Sequence, residues 1–529
     1  MSCGPKIWIL WFSSWVLKCL MKPFIILRYI RRSQKLPPIH NKLLLHSATN
    51  LARMIRTRQV TSEEVVQAYI SRIRDINPLV NCMMDNRFEA ALLDAKYVDR
   101  VLQMTNKTEK QIAKETPFLG VPLSVKGSIA VKGLNHSAGE LRFQGRKAQE
   151  DAETVMLMRA SGAIPLLVTS TPELCMMIET YNKIIGTTNN PYDLRRTPSG
   201  SSGGEAALLA SAASVIGLGS DILGSLRIPA AFTGIFAHKP TPGVVSHSGH
   251  NPTSTDKDWS RFFTIGPMSR YAEDLAPMLN VLAKENADKL RLDEKINMDS
   301  IKIYYMEDDG GCALTDDVSR DIKESIQKAV QYMKSAHGTV VKKVDIKDLK
   351  YAHDLSVPII TQLEDIRSVH RIESHPKPWR TIFMELVKLC TCFSERTFPT
   401  ICYAVVKKLS LSIPRRKLEK FKERNESLKK DIYEMLGNDG VFLYPTFIDC
   451  ANFHLESYYK IFNISYTMIM NALEVPVTNC PMGMNERGLP IGIQIVAAPF
   501  EDRLSIAVAN ELQAAFGGWT EPPASERAA

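Results

Sequence analysis

Ten cysteines spread over 529 residues form no zinc-ribbon spacing and no disulfide framework. Cys390-Thr391-Cys392 is the only close pair, and chance proximity explains it better than a metal site. The glycine- and serine-rich turn at 198–205 is not closed by Gly-Lys-Ser/Thr, which excludes a phosphate cradle. No internal repeat and no low-complexity tract is present. Acidic residues are missing from the first 35 positions, where seven lysines and arginines supply most of the net charge of +9. The remaining chain is close to neutral and carries no basic stripe interleaved with aromatics, so nucleic acid is removed from the partner classes. At 45% apolar and 23% charged the composition is that of a globular protein.

The basic N-terminus is also the most apolar part. Residues 7–27 include Trp8, Trp11 and Trp15 and are long enough to cross a bilayer, although Lys18 near the middle costs about 2.5–3.5 kcal/mol on an insertion scale. Tryptophans with flanking cations equally suit a segment lying in the interface. A cleaved signal peptide is a third option, without a clear small-residue cleavage site. The expectation is a membrane anchor over residues 1–35 at an endomembrane, spanning ahead of lying flat. The basic cluster at 28–35 then puts the body on the cytosolic side. Asn-x-Ser/Thr triplets at Asn106, Asn135, Asn425 and Asn463 weigh against that side only if they carry sugar.

Residues 197–236 organise the chain: a Gly/Ser turn, a helix of small residues and a second Gly/Ser turn at 219–229. The first turn, Pro198-Ser199-Gly200-Ser201-Ser202-Gly203-Gly204-Glu205, has too little side-chain bulk to pack as a strand, so its use lies in its backbone and hydroxyls. The second presents Ser225 beside flexible amides, which an activated hydroxyl and an oxyanion pocket require. Such a serine needs a base. His238, in Ala237-His238-Lys239-Pro240, reads as a packing or loop residue. A lysine desolvated enough to be neutral is the alternative, and Lys126 closes the apolar run 117–126, which reads as a buried strand.

The two turns and the lysine segment resemble the amidase signature family, with its GGSSGGE and GSDxGGSIRxP pattern. Gly120-Val121-Pro122-Leu123-Ser124-Val125-Lys126, Pro172-Glu173-Leu174-Cys175-Met176 and the stretches 188–193, 234–240, 266–278, 440–445 and 492–500 extend the likeness over about residues 45–519, closest to the type 2 fatty acid amide hydrolases. The resemblance implies an α/β fold, one mixed sheet covered by helices in a single large domain. It also implies a serine amidase acting on long-chain fatty acid amides without cofactor or metal, and a homodimer is compatible with it. The implied triad is Ser225 as nucleophile, Ser201 as bridging serine on a cis peptide and Lys126 as base. The amides of Ile222, Leu223, Gly224 and Ser225 would line the oxyanion pocket, with Ser202, Asp221 and Arg227 in support. The chain departs from the pattern at Ser199, at Gly127 and at Leu223, whose Cβ resists left-handed backbone and can fill the space of a substrate carbonyl. Two rival functions follow: an amidase or esterase for shorter acyl groups, or a membrane-associated lipid-binding protein without turnover.

Elsewhere the periodicities predict ordinary elements. Thr61-Ser62-Glu63-Glu64 is a capping box opening a helix that ends at Asn77-Pro78, and 87–104 is a second amphipathic helix. A buried strand at 164–168 is followed by a helix opened by Thr171-Pro172-Glu173. Residues 284–299 form a charged surface connection, and 301–350 a strand, helix and strand. Residues 350–436 are a variable helical insertion whose apolar residues and basic cluster at 407–417 suit either a lipid-facing patch or a packed insertion.

Overall fold

Strands that are buried from end to end need cover on both faces, and this chain builds its centre from them. In the computed structural model, which describes residues 5–30, 33–366 and 377–525 (with the side chains of 5–14 and 17 outside the description), Pro122–Lys126, Ile164–Thr169, Ile216–Asp221 and Pro490–Ala497 are buried at every position. They belong to one mixed sheet of eleven strands among the described residues. From edge to edge it runs Met83–Asn86, Ile164–Thr169, Pro122–Lys126, Ile216–Asp221, Thr264–Ser269, Phe236–Lys239, Val477–Met484, Pro490–Ala497, Gly440–Pro445, Lys302–Tyr305 and Val340–Lys343. Pro122–Lys126 lies parallel to both its neighbours, so Lys126 and the end of Ile216–Asp221 emerge at the same edge of the sheet. The expected α/β sheet clothed by helices is what forms.

The helix Gly203–Ala210 packs directly on this centre, and glycine makes the approach possible. A Cβ on Gly217 would stand 1.9 Å from Glu205 Oε1, and one on Gly204 2.4 Å from the Ser170 carbonyl oxygen. The helix therefore lies closer to the strands than any residue with a side chain would allow.

Three expectations are corrected. The helix capped by Thr61 and Glu64 runs Ser62–Val80, through Pro78 rather than stopping at it. Proline there removes a hydrogen bond only in the final turn; Val80 is buried, and Asn81 closes the helix in left-handed conformation. No α-helix follows Pro172: a single turn, Glu173–Cys175, is broken by left-handed Leu174 and Cys175.

The third correction concerns the membrane. A helix Pro5–Arg28 forms, but among the described residues no helix is long and apolar enough to cross a membrane. Its end leans on the body, with Lys18 paired to Asp316 at 3.4 Å, Ile25 buried and Tyr29 stacked on Phe453. The transmembrane expectation is thus not supported, and the topology argument that depended on spanning goes with it. Of the four glycosylation triplets, Asn135, Asn425 and Asn463 are buried and their amides hydrogen-bonded; Asn106 is exposed.

In 350–436 the helices Ala352–Ile360 and Arg415–Leu436 pack on the core, and Pro378–Cys390 with Phe398–Leu411 form an outlying pair with its own small apolar cluster. Residues 367–376 of this predicted insertion lie outside the described residues.

Candidate active site

The strand ending at Lys126 delivers its amine into the interior, where the side chain has no solvent exposure. Lys126 Nζ lies 2.7 Å from Ser201 Oγ and 3.0 Å from Ser220 Oγ. Burial pulls the amine below the ordinary lysine range, while the Cys175 thiol, Asp221 and Glu205 act in the opposite sense. Desolvation prevails, which is what a lysine acting as base requires.

Ser201 follows a cis peptide from Gly200. Its carbonyl accepts from Thr171 Oγ1 at 3.1 Å. Ser225 stands on the neighbouring turn, joined to the first by Ser202, whose amide donates to the Ser225 carbonyl at 3.3 Å. Exposure grades from Lys126 at 0% through Ser201 at 1% to Ser225 at 9%. Of the three residues, Ser225 is the least deeply buried.

The second turn is folded around Asp221. Its carboxylate accepts from the amides of Gly224 at 2.8 Å and Leu226 at 3.0 Å, from Arg227 Nε and Nη2 at 3.1 Å each, and from Asn471 Nδ2 at 3.0 Å. Burial alone would raise this carboxyl, but Arg227, Lys239 and the Leu226 amide outweigh it and hold it at about 2. Arg227 is itself wholly buried and donates to Gln494 Oε1 at 3.1 Å and Asn471 Oδ1 at 2.6 Å. A buried ion pair in which all three guanidinium nitrogens are engaged fixes the turn's shape. Ser202 Oγ adds a link between the turns, donating to the Ser220 carbonyl and accepting from the Ser220 amide at 3.4 Å each.

The four expected oxyanion donors do not remain equal. The Gly224 amide is engaged by Asp221, whereas among the described residues no hydrogen bond is found from the amides of Ile222, Leu223 or Ser225. Leu223 does not take the left-handed backbone that its Cβ would resist; Gly224 does, at φ +118°. The other departure from the glycine pattern carries the positive φ instead: Ser199 sits at +66°, held by Thr197 Oγ1 on its amide at 3.0 Å and Thr180 Oγ1 on its carbonyl at 2.7 Å.

Sequence reading missed three contributors. Glu205 was quoted in the first turn without a role. It is buried, accepts from Ser124 Oγ and, at 3.0 Å, from Thr169 Oγ1, and burial pushes its carboxyl up to about 8. Ser220 lies within the second turn, and its hydroxyl touches Lys126. His250 escaped altogether: its Nε2 lies 3.0 Å from Ser220 Oγ. His238 is, as expected, a packed residue, held between Thr478 and Asp502. Among the described residues no group of three or more His, Cys, Asp or Glu is arranged to hold a metal.

A buried amine, serine hydroxyls on two braced turns and this sheet define an amide hydrolase. The chain belongs to the Amidase family, which matches residues 64–505. It is similar to fatty-acid amide hydrolase 2 of Homo sapiens, 43% identical over 490 residues with 92% of each chain covered. Fatty-acid amide hydrolase 2-A of Danio rerio is 41% identical, again over 92% of each chain. Among solved structures, a fatty acid amide hydrolase aligns with a TM-score of 0.71 at 20% identity, covering 92% of this chain and 87% of that one, and so shares the fold.

Proposed function

We propose that the chain hydrolyses the amide bond of long-chain fatty acid amides, through an acyl-enzyme on Ser225, to fatty acid and amine. The observation that carries this reading is the 2.7 Å contact between the solvent-free Lys126 amine and Ser201 Oγ. Neutral Lys126 takes the Ser201 proton while Ser201 takes that of Ser225, and the Ser225 oxygen attacks the amide carbon. The oxyanion forms opposite the amides of Ile222, Leu223 and Ser225. The proton returns along the same path to the departing nitrogen as the C–N bond breaks. A water, deprotonated by the same pair, then cleaves the ester and restores the Ser225 hydroxyl.

The long acyl chain is supported by the names of the similar proteins and by the surface. The outlying helices and the turn joining them expose Trp379, Phe383, Met384, Phe393, Phe398 and Leu409, and the first helix exposes Leu20, Phe24, Ile26 and Leu27. Apolar side chains beside Lys408, Arg415 and Arg416 suit a protein that rests on a lipid surface and takes its substrate from there.

Two measurements test the reading. Fluorophosphonate should label the wild type and leave Ser225→Ala unlabelled; a chain that takes no label is a lipid-binding protein without turnover. Hydrolysis of amides of graded chain length should then favour long acyl groups, and a preference for short ones would replace the substrate assignment.

A further inference from the structure

The Lys126 amine has a second hydroxyl neighbour that the proton path above does not use. Ser220 Oγ is 3.0 Å from Lys126 Nζ on one side and 3.0 Å from His250 Nε2 on the other. His250 comes from the loop after Pro240, is buried, and packs against Phe263 with ring centroids 4.5 Å apart; Phe263 is in turn stacked on Trp259. Its Nδ1 lies 2.6 Å from the Pro252 carbonyl oxygen.

These contacts fix the direction of each hydrogen bond. A carbonyl oxygen only accepts, so His250 Nδ1 carries the proton. Burial, with Lys126 nearby, pushes the ring down to about 3, so it is neutral and Nε2 is a bare acceptor. Ser220 has one hydroxyl hydrogen, which goes to Nε2. Its contact with Lys126 must then be an N–H of the amine donating to Ser220 Oγ.

A neutral primary amine has two N–H groups and one lone pair. We propose that His250 is a positioning residue which, by claiming the hydrogen of Ser220, keeps the Lys126 lone pair free for the Ser201 hydroxyl. This rests on the reading of Lys126 as base. Without His250, two hydroxyls would compete for one lone pair. An amine accepting from Ser220 would have to break that bond before taking a proton from Ser201.

The test uses the full chain and a long-chain acyl p-nitroanilide. His250→Leu should lower kcat about tenfold with KM within twofold, since His250 acts through Ser220 on the Lys126 amine. His250→Gln should recover most of the loss, because its Oε1 accepts from Ser220 while its amide group donates to the Pro252 carbonyl. In a Ser220→Ala background, His250→Leu should cost nothing further, since the two act as one unit. If His250→Leu does not fold, His250→Met, which also lacks the acceptor, takes its place in both comparisons. Wild-type kcat in the apolar variant, a loss carried by KM, no rescue by glutamine, or losses that multiply in the double variant would each overturn the proposal. Ser225→Ala separates the two readings: hydrolysis surviving in that variant removes the triad itself, whereas hydrolysis lost there and unchanged in His250→Leu removes only the role of His250.

Discussion

Thr467 Oγ1 donates to the Leu223 carbonyl at 2.8 Å, and the same oxygen lies 2.1 Å from where a Cβ on Gly224 would stand. The nucleophile turn is therefore held from behind by the helix Ser465–Ala472, at the residue where it has no room for a side chain. Gly224→Ala must move Thr467 and also take a strained positive φ. Its fluorophosphonate labelling rate should fall by about 10² or more, the scale of losing an oxyanion donor.

Leu223 sits on ordinary backbone and packs partly against the core. Leu223→Gly should lower the melting temperature, as truncation of apolar contacts does, and leave kcat within about threefold of wild type. A larger gain in kcat would show that the leucine obstructs the substrate.

Lys126 is a base only when uncharged, and burial pulls its pKa below the ordinary 10.5. Protonation of the lysine should therefore shut activity down on the acid side. kcat/KM should rise with pH along a limb whose midpoint lies below 10.5. Lys126→Arg, which stays protonated, should lose about 10²–10⁴ in kcat at every pH. Retention of the limb in that variant would assign it to another group.

Glu205 gives a stability test with the opposite sign from most carboxylates. Its folded pKa of about 8 lies above the ordinary 4.5, so between those values the native state binds the extra proton and stability falls as pH rises. The stability is fully present below about 4.5 and is lost through about 8. Glu205→Gln keeps the shape without the charge and should flatten this part of the melting profile, an effect on the order of a few kcal/mol at alkaline pH. A variant and wild type with parallel profiles from pH 5 to 9 would show that Glu205 is ionised in the fold.

The outlying helices predict a separable defect. The triple variant Trp379→Ala, Phe383→Ala, Phe393→Ala should bind phosphatidylcholine vesicles at least about tenfold less well in a flotation assay. It should hydrolyse a water-soluble short amide at the wild-type rate. Equal losses on both substrates would mean that these side chains support the core.

What could be read from the sequence follows the range of the interactions concerned. The two turns, Lys126 and the buried strands were legible because their chemistry requires particular residues in one short stretch. The strand expected at 164–168 forms as Ile164–Thr169, since a short unbroken apolar run admits few alternatives. His250 was not legible: it has no periodic signal, and one of its two partners is a backbone carbonyl, which leaves no trace in side-chain identity. Leu174 and Cys175 adopt left-handed backbone that neither residue type announces, so the single turn after Pro172 read as a helix. At the first helix, apolar character over 7–27 suggested spanning, because the sequence does not reveal that Lys18 and Tyr29 have partners on the body.

The bracing of the second turn separates reactivity from support along the chain. Lys126, Ser201 and Ser225 all lie in the first half, while Thr467 is 244 residues beyond Leu223 and Gln494 is 267 beyond Arg227. A ribosome that has released only the first half holds every reacting group and none of these distant struts. Competence is then a property of the finished polypeptide, acquired when the last long strands dock, and a prematurely terminated product would be inert even though its signature is complete.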